Sequence, residues 1–182
     1  MKLVSIVFLM LCCLSTSVQA EILWMHNTHN HEELRLKRLS FLTLDADDLR
    51  KANRFFRSRK TNGRRAIHPR LLRALAHIQR QFGNRRIEMI SGFRTSEEGK
   101  DLNSYHQVGR AADIRIIGVS KKKLFKFCRS LPKMGCGYYP KTRFVHIDVR
   151  GESGVWVDLS GPGESKDYVA NPRVWLRRKW IE

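Results

Sequence analysis

Ser104-Tyr105-His106-Gln107-Val108-Gly109-Arg110-Ala111-Ala112-Asp113, with Phe144-Val145-His146-Ile147-Asp148 later in the chain, is the pair of stretches that decides the fold. Ala111 to Ile117 predicts a core strand, and Phe144 to Val149 predicts a second one with a clear alternation. Successive strand side chains point to opposite faces, so His146, Asp148 and Arg150 share one side while Val145, Ile147 and Val149 share the other. The apolar side packs, and the polar side is left to line a site. His106, Asp113 and His146 together offer two imidazoles and a carboxylate, a donor set that suits zinc and leaves one position open for water. The spacing alone is common in proteins, and a single strand histidine is more often a hydrogen-bonded structural residue.

On the N-terminal side, Ile87 to Ile90 predicts a short strand that runs into Ser91-Gly92-Phe93-Arg94, where glycine permits a sharp turn or a close approach. Pro69 to Phe82 predicts a helix: Leu71, Leu75, Ile78 and Phe82 fall on one face, Pro69 suits the first turn and Gly83 stops it. His68 stands at its entry and His77 on a helix whose core face is already supplied, so neither receives a catalytic role. Leu39 to Leu44 predicts a strand, and Leu49 to Arg65 is a basic segment with Phe55 and Phe56 as its sizeable apolar contribution. Residues 21–33 are polar and His-rich without a sustained period, which predicts a mobile arm over 21–38. His26, His29 and His31 are then scattered on that arm and not gathered round a metal.

On the C-terminal side, Ser120 predicts an N-cap for a helix from Lys121 to about Arg129. Gly135 to Tyr139 and Phe144 to Val149 suit a hairpin around Pro140 to Arg143. The extension over 161–182 interleaves basic residues with Trp175 and Trp180. That pattern fits a seat on an anionic membrane or glycan surface, and equally a terminal segment docking its tryptophans on the domain. The whole predicts an α+β domain over 39–160, with a small, mainly antiparallel sheet and helices packed on one side.

The first twenty residues have the layout of a secretory signal peptide: Lys2, an apolar run from Leu3 to Leu14, and an exit at Val18-Gln19-Ala20. The run is too short for an ordinary membrane span, and Cys12 and Cys13 lack the preceding small residue of a lipoprotein signal. An exported protein, periplasmic or extracellular in the cell envelope, is expected. The formal net charge of +18 loses only Lys2 with that segment. Such a surplus favours encounter with polyanions, which outside the cytoplasm means acidic wall polymers, anionic lipid head groups or polysaccharide, and the signal peptide argues against nucleic acid. Cys128 and Cys136 remain of the four cysteines. In an oxidising compartment they are a disulfide candidate, with two buried thiols as the alternative. Oligomeric state is not legible.

In their order, Ser91-Gly92-Phe93-Arg94-Thr95, Ser104 to Asp113, Gly135-Cys136-Gly137-Tyr138-Tyr139-Pro140 and Phe144 to Asp148 resemble the zinc peptidases of the lysostaphin, D-Ala-D-Ala metallopeptidase and sonic hedgehog type. Within that group the likeness is to murein endopeptidase K-like proteins, from about Leu39 to Arg150, with Trp156 as a trailing element. The resemblance implies a hedgehog/D-Ala-D-Ala-peptidase-like fold, zinc as cofactor, and His106, Asp113 and His146 as its ligands. It implies hydrolysis of peptide bonds in peptidoglycan stems or cross-links, with a metal-bound water as nucleophile. D,D against L,D specificity, and endo- against carboxypeptidase action, stay open.

Arg94 matches the family arginine that neighbours the metal and holds a substrate carboxylate or carbonyl, a task its planar fork suits; an exposed surface arginine is the alternative. Many relatives carry an acidic residue three positions before the last histidine ligand, and here Arg143 stands there. Asp148 is the nearest candidate for the catalytic base, and orienting an imidazole is an equally good role for it. Arg143 also keeps a rival open: a non-catalytic, zinc-containing protein that binds peptidoglycan or the envelope.

Overall fold

Leu23, Met25 and Asn27 turn inward along β1 (Ile22–Asn27), and Leu34 and Leu36 do so along β2 (Glu33–Lys37). The computed structural model describes residues 22–37, 44–97 and 104–180. The two strands pair antiparallel from Ile22↔Lys37 to His26↔Glu33, and β1 also pairs parallel with β3 (Ile87–Ser91). Over 22–37, the described part of the expected mobile arm, the chain is instead an edge hairpin within the sheet. Its period of two is hidden because the outward positions carry Trp24, His26, Glu33 and Arg35, which read as a polar stretch. Arg35 stacks over the Trp24 ring at 4.7 Å, and Gln79 accepts from Trp24 N and donates to Trp24 O, both at 2.8 Å. The strand expected over 39–44, apart from Leu44, and the signal peptide over 1–20 lie outside the described residues.

The helix α1 (Ala46–Phe55) takes in the first part of the basic segment that begins at Leu49. Asp45 caps it, accepting from Asp48 N at 2.7 Å, and Ala52 and Phe55 are its buried residues. Basic side chains such as Arg50 and Lys51 take the outer face and pair with Asp47. The helix α2 (Pro69–Gln81) forms as its pattern predicts, with His68 Nδ1 accepting from Arg70 N at 3.2 Å. The helix α3 (Lys121–Cys128) starts at the Ser120 cap.

Seven strands make one mixed sheet in the order β2-β1-β3-β4-β6-β5-β7, where β4 is Ala111–Ile116, β5 Met134–Tyr138, β6 Val145–Val149 and β7 Gly154–Val157. Four of the pairings are antiparallel; β1·β3 and β5·β7 are parallel. The sheet is thus broader than expected, and its centre is the antiparallel β3-β4-β6-β5 block. Ala112, Ile114, Val145, Ile147 and Val149 join Leu71, Leu75, Ile78, Leu124 and Phe125 in one buried cluster, so the helices cover the face opposite His146 and Asp148. Lys121 Nζ donates to the carbonyls of Tyr139, Pro140 and Thr142, which fixes the β5–β6 turn.

The last helix, α4 (Pro172–Trp180), turns its apolar residues inward: Leu176 is 3% exposed, and the Trp180 ring meets Phe125 and Tyr138 edge-on at 5.4 and 5.0 Å. Of the two readings of the C-terminal extension, docking is the one its tryptophans adopt. Among the described residues no helix is long and apolar enough to cross a membrane.

Cys128 and Cys136 are joined as a disulfide, with Cα atoms 6.1 Å apart and both residues fully buried. It ties the end of α3 to β5, the strand paired beside the one that carries His146. Replacing both cysteines by Ser is expected to lower unfolding free energy by about 2 to 3 kcal/mol, the loop-entropy scale of so short a bridge. Chemical denaturation measures this loss, and alkylation before non-reducing mass spectrometry checks the bridge. Two fully alkylated thiols in protein from its native compartment would rule it out.

Candidate metal centre

Asp113 on β4 and His146 on β6 are register partners in neighbouring antiparallel strands, which brings a carboxylate and an imidazole side by side. His106 arrives from the turn before β4. One ligand atom from each of the three lies within 4.8 Å of the others, and all three residues are buried. The distances are 2.9 Å from His146 Nδ1 to Asp113 Oδ1, 3.3 Å from His106 Nε2 to the same oxygen, and 3.1 Å between the two ring nitrogens.

The outer nitrogen of each ring fixes what the inner one presents. His106 Nδ1 lies 2.6 Å from Gly92 O, an acceptor that takes its N–H, so Nε2 faces the cluster as a lone pair. His146 Nε2 lies 3.1 Å from Asp148 Oδ2, an acceptor that can take its N–H and leave Nδ1, the inward nitrogen, to a metal. In those tautomers two lone pairs and a carboxylate converge with no hydrogen between them. They repel unless a cation sits among them, and neutral imidazole with carboxylate is a zinc donor set.

Electrostatics follows the same geometry. Burial holds the His106 imidazole below its ordinary range against the pull of Asp113. Burial alone would raise Asp113, but the two imidazoles outweigh it and hold that carboxyl well below the usual range. Burial also opposes charging of His146, and the carboxylates of Asp113 and Asp148 on the two sides of its ring prevail, which raises it, so that in the absence of a metal a proton competes for the inward nitrogen. Both carboxylates attract positive charge to this point.

Close backbone approaches make the arrangement possible. An added Cβ at Gly92 would stand 2.7 Å from Phe56 O, so only glycine lets that segment pass and present its carbonyl to His106. Phe93 N donates to the same Phe56 carbonyl at 2.8 Å and holds the turn that carries Arg94. At Gly137 an added Cβ would meet the Trp156 indole at 2.6 Å. That indole packs 5.0 Å from the His146 ring and donates Nε1–H to Tyr139 Oη at 3.1 Å. Trp156 and Tyr139 thus wall one side of the centre.

Arg94, Asp113, His106, His146 and Asp148 all come to one place. Arg94 Nη2 is 3.9 Å from Asp113 Oδ2, with a side chain 38% exposed, so its guanidinium sits at the opening. For Asp148 the sequence offered two roles, a base or a carboxylate that orients an imidazole. It is fully buried, Arg150 Nε donates to its Oδ1 at 2.7 Å, Arg150 Nη2 engages its Oδ2, and it touches the His146 nitrogen turned away from the cluster. This is the placement of a carboxylate that orients an imidazole. Arg143, where an acid was sought, is exposed, and among the described residues no fourth His, Cys, Asp or Glu joins the group.

His26, His29 and His31 form no cluster of that kind. His29 Nε2 bonds Ile90 O at 2.8 Å, and the His26 and His31 rings stack at 5.7 Å near the β1–β2 turn. Sequence reasoning missed Tyr139 and the carbonyl of Gly92. A backbone acceptor leaves no trace in side-chain pattern, whereas the aromatic pair in Tyr138-Tyr139-Pro140 beside a glycine-rich strand was a usable signal.

Residues 15–156 match the family described as peptidoglycan L,D-endopeptidase MepK. The chain belongs to the MepK peptidase family. It is 32% identical to the peptidoglycan L,D-endopeptidase MepK of Escherichia coli over 137 residues, which cover 70% of this chain and 75% of that protein. The same figures hold for MepK of Shigella flexneri. The probable peptidoglycan L,D-endopeptidase MepK of Haemophilus influenzae is 35% identical over 111 residues, 55% of this chain and 60% of that protein. The match includes every residue of the three-ligand cluster, together with Arg94, Asp148 and Trp156.

Proposed function

We propose that the chain is an exported zinc endopeptidase that hydrolyses the L,D class of peptide bond in peptidoglycan cross-links. The observation that carries the metal is the convergence of two inward-facing ring nitrogens on the Asp113 carboxylate, each ring having an acceptor at its other nitrogen. Family membership supports the substrate class and the bond. Zinc, when bound, supplies a Lewis acid and brings the pKa of a coordinated water toward about 7.

The chain's own residues do the rest. His106, Asp113 and His146 hold the ion, while Gly92 O and Asp148 lock the two rings in the tautomers that ligation needs. Arg150 keeps Asp148 ionised and in place. Arg94, at the opening, binds a carboxylate or carbonyl of the stem peptide through its planar fork and so positions the scissile bond. Trp156 and Tyr139 support the His146 side of the centre and shield it from water.

Arg94→Lys keeps the charge and loses the fork, so about a tenfold or greater fall in hydrolysis is expected with zinc content unchanged. Unchanged turnover on muropeptides would return Arg94 to the role of an exposed surface residue. The function as a whole is tested by incubating the purified processed protein with zinc and isolated sacculi and analysing the released muropeptides. Release of L,D-cleaved products supports the assignment; release of D,D products alone changes the bond. Arg143 favours a second reading, a zinc-containing envelope-binding protein without catalysis. Binding to sacculi with no products released, at full zinc occupancy, establishes that one instead.

A further inference from the structure

The edge strand β7 has different neighbours on its two faces. Trp156 stands beside His146 on the metal side. Val155, the residue before it, points to the helix side, where with Leu176 and Trp180 it lines a cleft of about 410 Å3. The rim is basic: Lys126 and Arg129 come from the end of α3, and Arg173 and Arg177, one turn apart, from α4. All four are exposed, and none has a carboxylate within 4.0 Å among the described residues. Lys122 continues the α3 row, and the ammonium groups of Lys122 and Lys126 lie 5.5 and 5.8 Å from the centre of the Trp180 ring.

Like charges gathered around one concavity repel each other, and a bound polyanion relieves that repulsion. Three of the four rim residues are arginines, whose forks match phosphate oxygens in pairs. Trp175, Leu176 and Trp180 pack onto the domain, and Val174 is left exposed among the charges of the outer surface of α4. Lys122, Lys126 and Arg129 of α3 with Arg173 and Arg177 of α4 put five cations around this one concavity, more than a single small anion pairs, and an array of headgroups meets them together.

We propose that this face binds the phosphate-bearing headgroups of anionic phospholipids and seats the protein on a membrane surface. The sheet lies between the cleft and the metal, so the hydrolytic side is turned away from the lipid. Occupation of one side does not obstruct the other. The inference does not rest on the peptidase reading, because binding is read without hydrolysis.

Flotation of the purified processed protein with phosphatidylcholine vesicles, with and without phosphatidylglycerol, tests it. Binding is expected only with phosphatidylglycerol, and it is expected to weaken as salt is raised. Each of Lys126→Gln, Arg129→Gln, Arg173→Gln and Arg177→Gln is expected to weaken binding about fivefold, and the four together about a hundredfold or more. A control with equal net charge replaces Lys37, Arg50, Arg64 and Arg65 by Gln, and it should float as the parent does. Equal loss in both quadruple variants would assign the effect to bulk charge and overturn the site. Calorimetric binding of inorganic pyrophosphate at the cleft without vesicle binding would also overturn it, in favour of a soluble phosphate ligand. If the quadruple variant does not fold, the single exposed substitutions Arg173→Gln and Arg177→Gln decide the question.

Discussion

Replacing His106, Asp113 or His146 by Ala, one at a time, is expected to lower zinc content by an order of magnitude or more and to abolish muropeptide release. Each residue supplies one of three ligand atoms, and two ligands make a much weaker zinc site than three. The fold is expected to survive. The β4-β6-β5 ladder is built by backbone bonds, and the core of Ile114, Val145 and Ile147 lies on the other face of the sheet. Asp113→Ala is expected to be the most severe for metal, since it also removes the carboxylate that draws both imidazoles and a cation together. Elemental analysis of the purified variants, with circular dichroism as the check on folding, measures the effect. Full zinc occupancy in all three would sink the ligand assignment.

Asp148→Asn is expected to lower zinc affinity by about 10- to 100-fold, and hydrolysis with it. The substitution keeps the shape, but an amide can turn its NH2 toward His146 Nε2 and no longer holds that ring in the tautomer with Nδ1 bare. It also leaves the Arg150 guanidinium beside a neutral partner, so some thermal stability is lost too. Competition with a chromophoric chelator separates these effects: a purely structural role moves the melting temperature and not the zinc dissociation constant. A variant with unaltered zinc affinity and impaired turnover would restore Asp148 as the group that moves the proton.

The legibility of this chain follows the physics of each element. Residues Pro69–Gln81 were readable because a single amphipathic helix carries its own periodicity and stop signal. The alternation at 145–149 was readable because one side of that strand is wholly apolar. Residues 22–37 were not, because an edge hairpin buries only every second residue and clothes the rest in His, Trp, Glu and Arg. The helix Ala46–Phe55 hid behind its basic outer face, although Asp45 and the acidic first turn marked its start.

The site divides in the same way. Residue types made His106, Asp113 and His146 a possible zinc donor set, because only certain side chains can ligate zinc, and the resemblance of the stretches around them singled that set out. They also determined that Arg143 cannot act as a base. What the sequence left open was which nitrogen of each ring faces inward, because that depends on the partner of the other nitrogen. Only the tertiary structure sets Gly92 O against His106 and Asp148, clamped by Arg150, against His146. The same holds for the two tryptophans of the last helix, whose pattern suited a membrane as well as a core. Packing against Phe125 and Tyr138 turned them inward and left their basic neighbours outside, a choice made by the free surface of α3 and β5 and not by the helix itself.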